Sequence, residues 1–175
     1  MKPILALLCV IVLSSCAPIR VNYDYERTAD FSKYKTYNYY ADMNTGLSGL
    51  DSKRLLDALD DAMQSKGYTL AEYPDFFIDI KSSEYQEPSR SNVGVGMGGT
   101  GRNVGGGISV GIPIGQNTYS RQIVFDFVDE NGIGLFWQAV SESNYNPNAS
   151  PEKREALVRN IVTKVLEGFP PDKTQ

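Results

Sequence analysis

Histidine is missing from this 175-residue chain. Its absence removes the Ser-His-Asp triad, the Cys-His dyad and histidine-based zinc or iron sites together. Cysteine is nearly as scarce, with Cys9 and Cys16 the only two. A chain cut between them keeps one thiol and forms no internal disulfide, so it must be stable through its core, even in a compartment where disulfides persist. No apolar run approaches the roughly 20 residues needed to span a bilayer as a helix. Basic residues are scattered, and the net charge is −4. Nucleic-acid binding would need a basic stripe, so nucleic acid is not expected as a partner. Nor does an acidic domain bind anionic lipid through charge.

What is present begins at the amino terminus. Lys2 supplies a positive start, Ile4 to Val12 an uncharged apolar core, and Ser14 and Ser15 small residues before a cut. This is the layout of a secretory signal with a core of about 7–15 residues. Leu13-Ser14-Ser15-Cys16 resembles a bacterial lipobox. The resemblance implies cleavage between Ser15 and Cys16 and acylation of Cys16 by several chains. One chain alone would bind a membrane only marginally. Residues 1–15 are then a lipoprotein signal peptide, 16–20 a lipidated tether, 21–171 one domain and 172–175 a tail. A chain of about 150 residues buries about 68–70 per cent of its unfolded surface, enough for a single core. At ~3.3–3.6 Å per extended residue, the tether holds that domain on the order of 15 Å from its bilayer. Ala17-Pro18 places no aspartate after Cys16 and resembles the outer-membrane sorting pattern. No acidic run follows, so a periplasm-facing position is expected.

Along the domain, Val21 to Tyr25 alternates as a strand, and Thr36 to Tyr40 is β-prone after an Asp30–Ser32 turn. Leu55, Leu56, Leu59, Ala62 and Met63 share a helix face. Asp51 or Ser52 is the expected cap, Asp57, Asp60, Asp61 and Lys66 the wet face, and Gly67 the left-handed exit. Phe76, Ile78 and Ile80 oppose Phe77, Asp79 and Lys81 in a half-buried strand. Ile123, Phe125 and Phe127 do the same in Tyr119 to Val128. Asp129-Glu130-Asn131-Gly132 turns the chain into Leu135 to Ser143. Ser150 and Pro151 open a last helix whose apolar stripe runs from Leu157 to Phe169. Most of the sixteen glycines fall in residues 93–115, where aliphatics alternate with glycine on both sides of a polar turn. That pattern reads as a hairpin. The expected class is α+β: an antiparallel sheet of about five to seven strands, two helices on one face, and a Gly-rich β-hairpin.

These elements resemble the uncharacterised bacterial lipoprotein family called domain of unknown function 4136. The resemblance rests on Tyr23-Asp24-Tyr25 followed by Asp30-Phe31-Ser32-Lys33-Tyr34-Lys35-Thr36-Tyr37. It continues through Lys66-Gly67-Tyr68, Pro74-Asp75-Phe76 and the glycine-rich hairpin. Asp126-Phe127-Val128-Asp129 leading to Leu135-Phe136-Trp137, and Ile161 to Leu166 ending in Phe169-Pro170-Pro171, complete it. It implies fold and location but no activity. Where the family often has tryptophan near the end of the second strand, this chain has Tyr39-Tyr40.

Three constellations are candidates for function. Gly94-Val95-Gly96-Met97-Gly98-Gly99 matches G-x-G-x-x-G, but no helix follows to present amides to a pyrophosphate. Its plain reading is an insertion. Its functional reading is a docking surface formed by Val93, Val95, Met97, Ile108, Val110 and Ile112. Tyr23, Tyr25, Tyr37 and Tyr39 either pack with their hydroxyls reaching water or form an aromatic platform for a glycan such as a peptidoglycan fragment. Glu84, Glu87, Asp126, Asp129 and Glu142 offer carboxylates, but none stands out as half of a catalytic pair. No cofactor and no metal ligands are expected. The sequence thus points to a non-catalytic outer-membrane lipoprotein. Its expected partners are the bilayer, through acylated Cys16, and an envelope protein.

Overall fold

The computed structural model describes residues 19–87, 92–93, 112–113 and 118–172. Cys16, the expected tether before Ile19 and most of the Gly-rich segment lie outside the described residues. The strands are β1 (Arg20–Tyr25), β2 (Thr36–Tyr39), β3 (Thr69–Leu70), β4 (Phe76–Glu87), β5 (Asn92–Val93), β6 (Ile112–Pro113), β7 (Thr118–Asp129) and β8 (Gly134–Tyr145). The helices are α1 (Gly49–Ser65) and α2 (Pro151–Glu167). Six strands form one sheet in the order β1-β8-β7-β4-β2-β3, and β5 pairs with β6 separately.

The α+β class holds, and the sheet is mixed. β1–β8, β8–β7 and β7–β4 are antiparallel, whereas β2 runs parallel to both β4 and β3. The sheet is mostly antiparallel, as expected, and the β2 pairings are its parallel exception. A helix lies between β2 and β4 in the chain, and such a crossover returns a strand parallel to its neighbour. β3 went unread because two residues leave no period to detect.

The alternation in β4 and β7 is as expected. Ile78 pairs with Phe127 and Ile80 with Phe125, all buried beneath the helices, while Phe77, Asp79, Val124 and Asp126 take the other, half-exposed face. The return strand departs from strict alternation. A bulge between Phe127 and Val128 lets Phe136 and Trp137, consecutive in β8, both be buried. An extra residue in one strand re-aims a side chain without ending the ladder. Phe136 stacks on Tyr34 at 4.1 Å between ring centroids, and Trp137 lies 4.6 Å from Phe127. Phe169 joins this cluster after α2 ends, 4.7 Å from Phe127 and 5.1 Å from Trp137. The Trp137 indole donates to the Gly168 carbonyl at 3.1 Å, so its polar atom is satisfied where the ring is dry.

Ser48, rather than Asp51 or Ser52, caps α1, its hydroxyl accepting from the Asp51 amide. Gly67 has φ +88, the left-handed exit expected there. Asp60 departs from the wet face: it is half-buried and accepts from both Tyr37 and Tyr39. The helices run in the same direction, with Asp51 beside Arg154 near their starts and Lys66 reaching the Phe169 carbonyl near their ends. Both helix amino termini therefore lie at one end of the sheet. The same end holds the start of β1, the end of β4, the start of β7 and the end of β8.

Candidate functional site

That end of the sheet carries a cleft. Toward the opposite end the helix-facing positions of the central strands are Phe125, Phe127, Ala139 and Trp137. Toward this end they become Ile123, Arg121, Ser141 and Ser143. Beneath the helix starts lies a space of about 440 Å³, within the roughly 300–1,000 Å³ of small-molecule sites. Leu47, Ile123, Tyr145, Leu157, Val158 and Ile161 give it an apolar lining. Leu47 arrives on a loop pinned by Gly46, whose φ is +70 and where a Cβ would meet the Ser82 carbonyl oxygen at 3.0 Å.

The charged wall is built on Asp51, which is 2% exposed. Arg54 donates to its Oδ1 at 2.8 Å and Arg154 to its Oδ2 at 2.9 Å. The Arg121 NH1 stands 3.8 Å from Oδ2, beyond hydrogen-bond range. Arg121 instead donates through Nε and NH2 to Glu84 Oε1, at 3.1 and 2.5 Å, with its guanidinium 3.5 Å above the Tyr145 ring. Arg154 also donates to the carbonyls of Ala149 and Pro147. Lys153 completes the lining, and no hydrogen bond or ion pair engages its ammonium among the described residues. In the sequence, Asp51 looks like an ordinary first-turn acid. Its partner Arg154 is 103 residues away, and no local signal joins them.

The candidate tyrosines do not converge. Tyr23 and Tyr25 lie on β1, Tyr37 and Tyr39 on β2, with β8, β7 and β4 between. Tyr23 donates to the Lys164 carbonyl and Tyr25 packs edge-on against Phe31. Tyr37 is fully buried. Burial, reinforced by the Asp60 carboxylate, pushes the Tyr37 and Tyr39 hydroxyls far above their ordinary range. They brace the sheet against α1, so a single four-tyrosine platform is not formed. Tyr40 stacks on Phe77 at 5.0 Å, and burial, with Glu130 nearby, pushes its hydroxyl up to about 12.

Four of the five candidate carboxylates are likewise engaged. Asp126 accepts from Gln138, Glu142 from Tyr85, and Asp129 from Lys33 and Tyr34 at 2.7 and 3.0 Å. Burial alone would raise the Asp129 carboxyl, but those two donors outweigh it and hold it below the usual range. Glu84 is taken by Arg121, and the Glu87 backbone pairs with Thr118. Of the Gly-rich candidates, Val93 pairs with Ile112 through the backbone, whereas Val95, Met97, Ile108 and Val110 lie outside the described residues. Among the described residues, no three Cys, Asp or Glu cluster as metal ligands, and no helix is long and apolar enough to cross a membrane.

The family model for the domain of unknown function DUF4136 matches residues 21–171. The chain belongs to the DUF4136 family. The match spans β1 to the end of the aromatic cluster, so the cleft lies wholly within the DUF4136 domain. No curated protein matches the chain. Among solved structures, it is similar to a single-substitution variant of the PelC dodecamer from Paraburkholderia phytofirmans, with TM-score 0.51 and 11% identity over 88% of this chain and 98% of that one. Another PelC dodecamer structure from Paraburkholderia phytofirmans gives TM-score 0.50 and 10% identity over 89% and 99%. A PDZ domain protein from Parabacteroides distasonis gives TM-score 0.52 and 15% identity, covering 97% of this chain but only 40% of that protein. At such identities the likeness is one of fold.

Proposed function

We propose that this chain is a lipid-anchored envelope protein whose DUF4136 domain works as a non-catalytic interaction module at the periplasmic surface of the outer membrane. The observation that carries this reading is the spacing between Cys16 and β1. Arg20 is already paired with Glu142 in the sheet, so the domain begins four residues after the lipobox-like cysteine. At ~3.3–3.6 Å per residue, the tether end of the sheet stays on the order of 15 Å from the acyl chains. The cleft and the ends of β4 and β7 that flank residues 88–117 share that end, and so face the bilayer or a partner bound to it. Self-association is the first partner to examine, since the two PelC structures matched are dodecamers.

The test is fractionation. Cys16→Ala in the full chain should move the protein from the membrane to the soluble envelope fraction, and intact mass of the wild type should show an acylated Cys16. An unmodified terminus, or membrane retention of the variant, defeats the proposal. The observed cleft favours a second reading, a ligand-binding module, in place of the tyrosine platform.

A further inference from the structure

We infer that the cleft between the helix starts and the β7–β8 end is a binding site for a single-chain anionic amphiphile of the fatty-acid class. The apolar lining supplies one half of the recognition. Leu47, Tyr145 and Leu157 are only partly buried and face the space, with Ile123, Val158 and Ile161 forming its floor. Covering such surface gains roughly 25 cal/mol per Å². That gain is what an acyl chain offers and a sugar does not.

The charges supply the other half. Arg54, Arg121, Lys153 and Arg154 stand against three carboxylates: Asp51, Glu84 on Arg121, and Glu152, which interacts with Arg54. Among the described residues one positive charge is left over. Three of the cations are fixed by hydrogen bonds to the protein, and among the described residues Lys153, at the cleft lining, is the one that is not. The amino-terminal ends of α1 and α2 add partial positive charge at the same place, which favours an anion there. A single carboxylate balances that surplus. A neutral headgroup would leave it unmet, and a dianionic one would exceed it. The site does not depend on acylation of Cys16, because every group in it belongs to the folded domain.

The test uses the full chain, both as wild type and with Cys16→Ala, so that loss of anchoring does not decide it. Each is incubated with a diazirine-bearing long-chain fatty acid, photolysed, digested and mapped. Labelling should concentrate on the peptides carrying Tyr145 and Leu157 in both forms. Leu157→Asp should cut it about tenfold, the equivalent of ~1.4 kcal/mol. Lys153→Glu, at an exposed position that should leave folding intact, should cut it severalfold. The matching long-chain alcohol probe should label severalfold less than the acid. Labelling that is indifferent to Lys153→Glu, equal labelling by acid and alcohol, or adducts spread over the open face of the sheet would overturn the assignment.

Discussion

The two ends of the sheet are built on opposite principles. At the end of the β7–β8 turn, Phe76, Phe127, Phe136, Trp137 and Phe169 meet through their rings, and each is at most 1% exposed. At the end where β1 starts, Asp51, Arg121 and Arg154 hold the elements together across a partly open cleft. The aromatic end gains stability from area and close packing. The charged end takes buried ions out of water, and its net contribution is small even when every donor is matched. The same fold therefore concentrates its stability at one end and leaves its open cleft at the other.

Substitutions should expose this asymmetry. The largest effect is expected from Phe169→Ala, which empties the centre of the aromatic cluster and should cost about 4 kcal/mol, read as a lower urea midpoint. Asp51→Ala should cost about 3 kcal/mol, since it leaves Arg154 and Arg54 facing each other without their shared acid. If replacing Asp51, Arg54 and Arg154 together with apolar residues proved as costly as Phe169→Ala, the contrast between the ends would collapse. Asp129→Asn should cost about 2 kcal/mol at neutral pH by weakening the bonds from Lys33 and Tyr34.

The smallest effect is the pH response. Burial would raise the Asp75 and Asp129 carboxyls, but the Lys35 and Thr36 amides at Asp75, and Lys33 and Tyr34 at Asp129, hold both below the usual range. Groups lowered on folding stabilise above their unfolded pKa of about 4, and that stability is lost as pH falls through the folded values. Unfolding free energy should therefore decline below roughly pH 4, and Asp129→Asn should flatten that decline. An unchanged acid limb in Asp129→Asn would remove Asp129 from the account.

The reading of the sequence succeeded where periodicity speaks. Phe76-Ile78-Ile80 and Ile123-Phe125-Phe127 alternate because each strand has one wet face, and Leu55, Leu59 and Met63 repeat because α1 does too. It fell short where sequence order and spatial order differ. The first two strands adjoin in the chain, yet three strands separate them in the sheet, and so the tyrosines that crowd together in the sequence never form one surface. The parallel course of β2 was signalled by the intervening helix. Leu47, Asp51, Arg121, Tyr145 and Leu157 form the cleft without sharing any motif, and each alone reads as ordinary packing or solvation. Only the register that sets Arg121 opposite both Glu84 and Ser143 assembles them.

The antiparallel register of β1 has a mechanical consequence. Its hydrogen bonds to β8 lie across the strand, and its first residue is the one nearest the amino end of the chain. A pull through that end, directed away from the β7–β8 turn, runs along β1 and loads the rungs from Arg20 to Tyr25 together. A sideways pull would open them one after another. β1 is thus joined to β8 by a lap joint, which resists shear better than peeling.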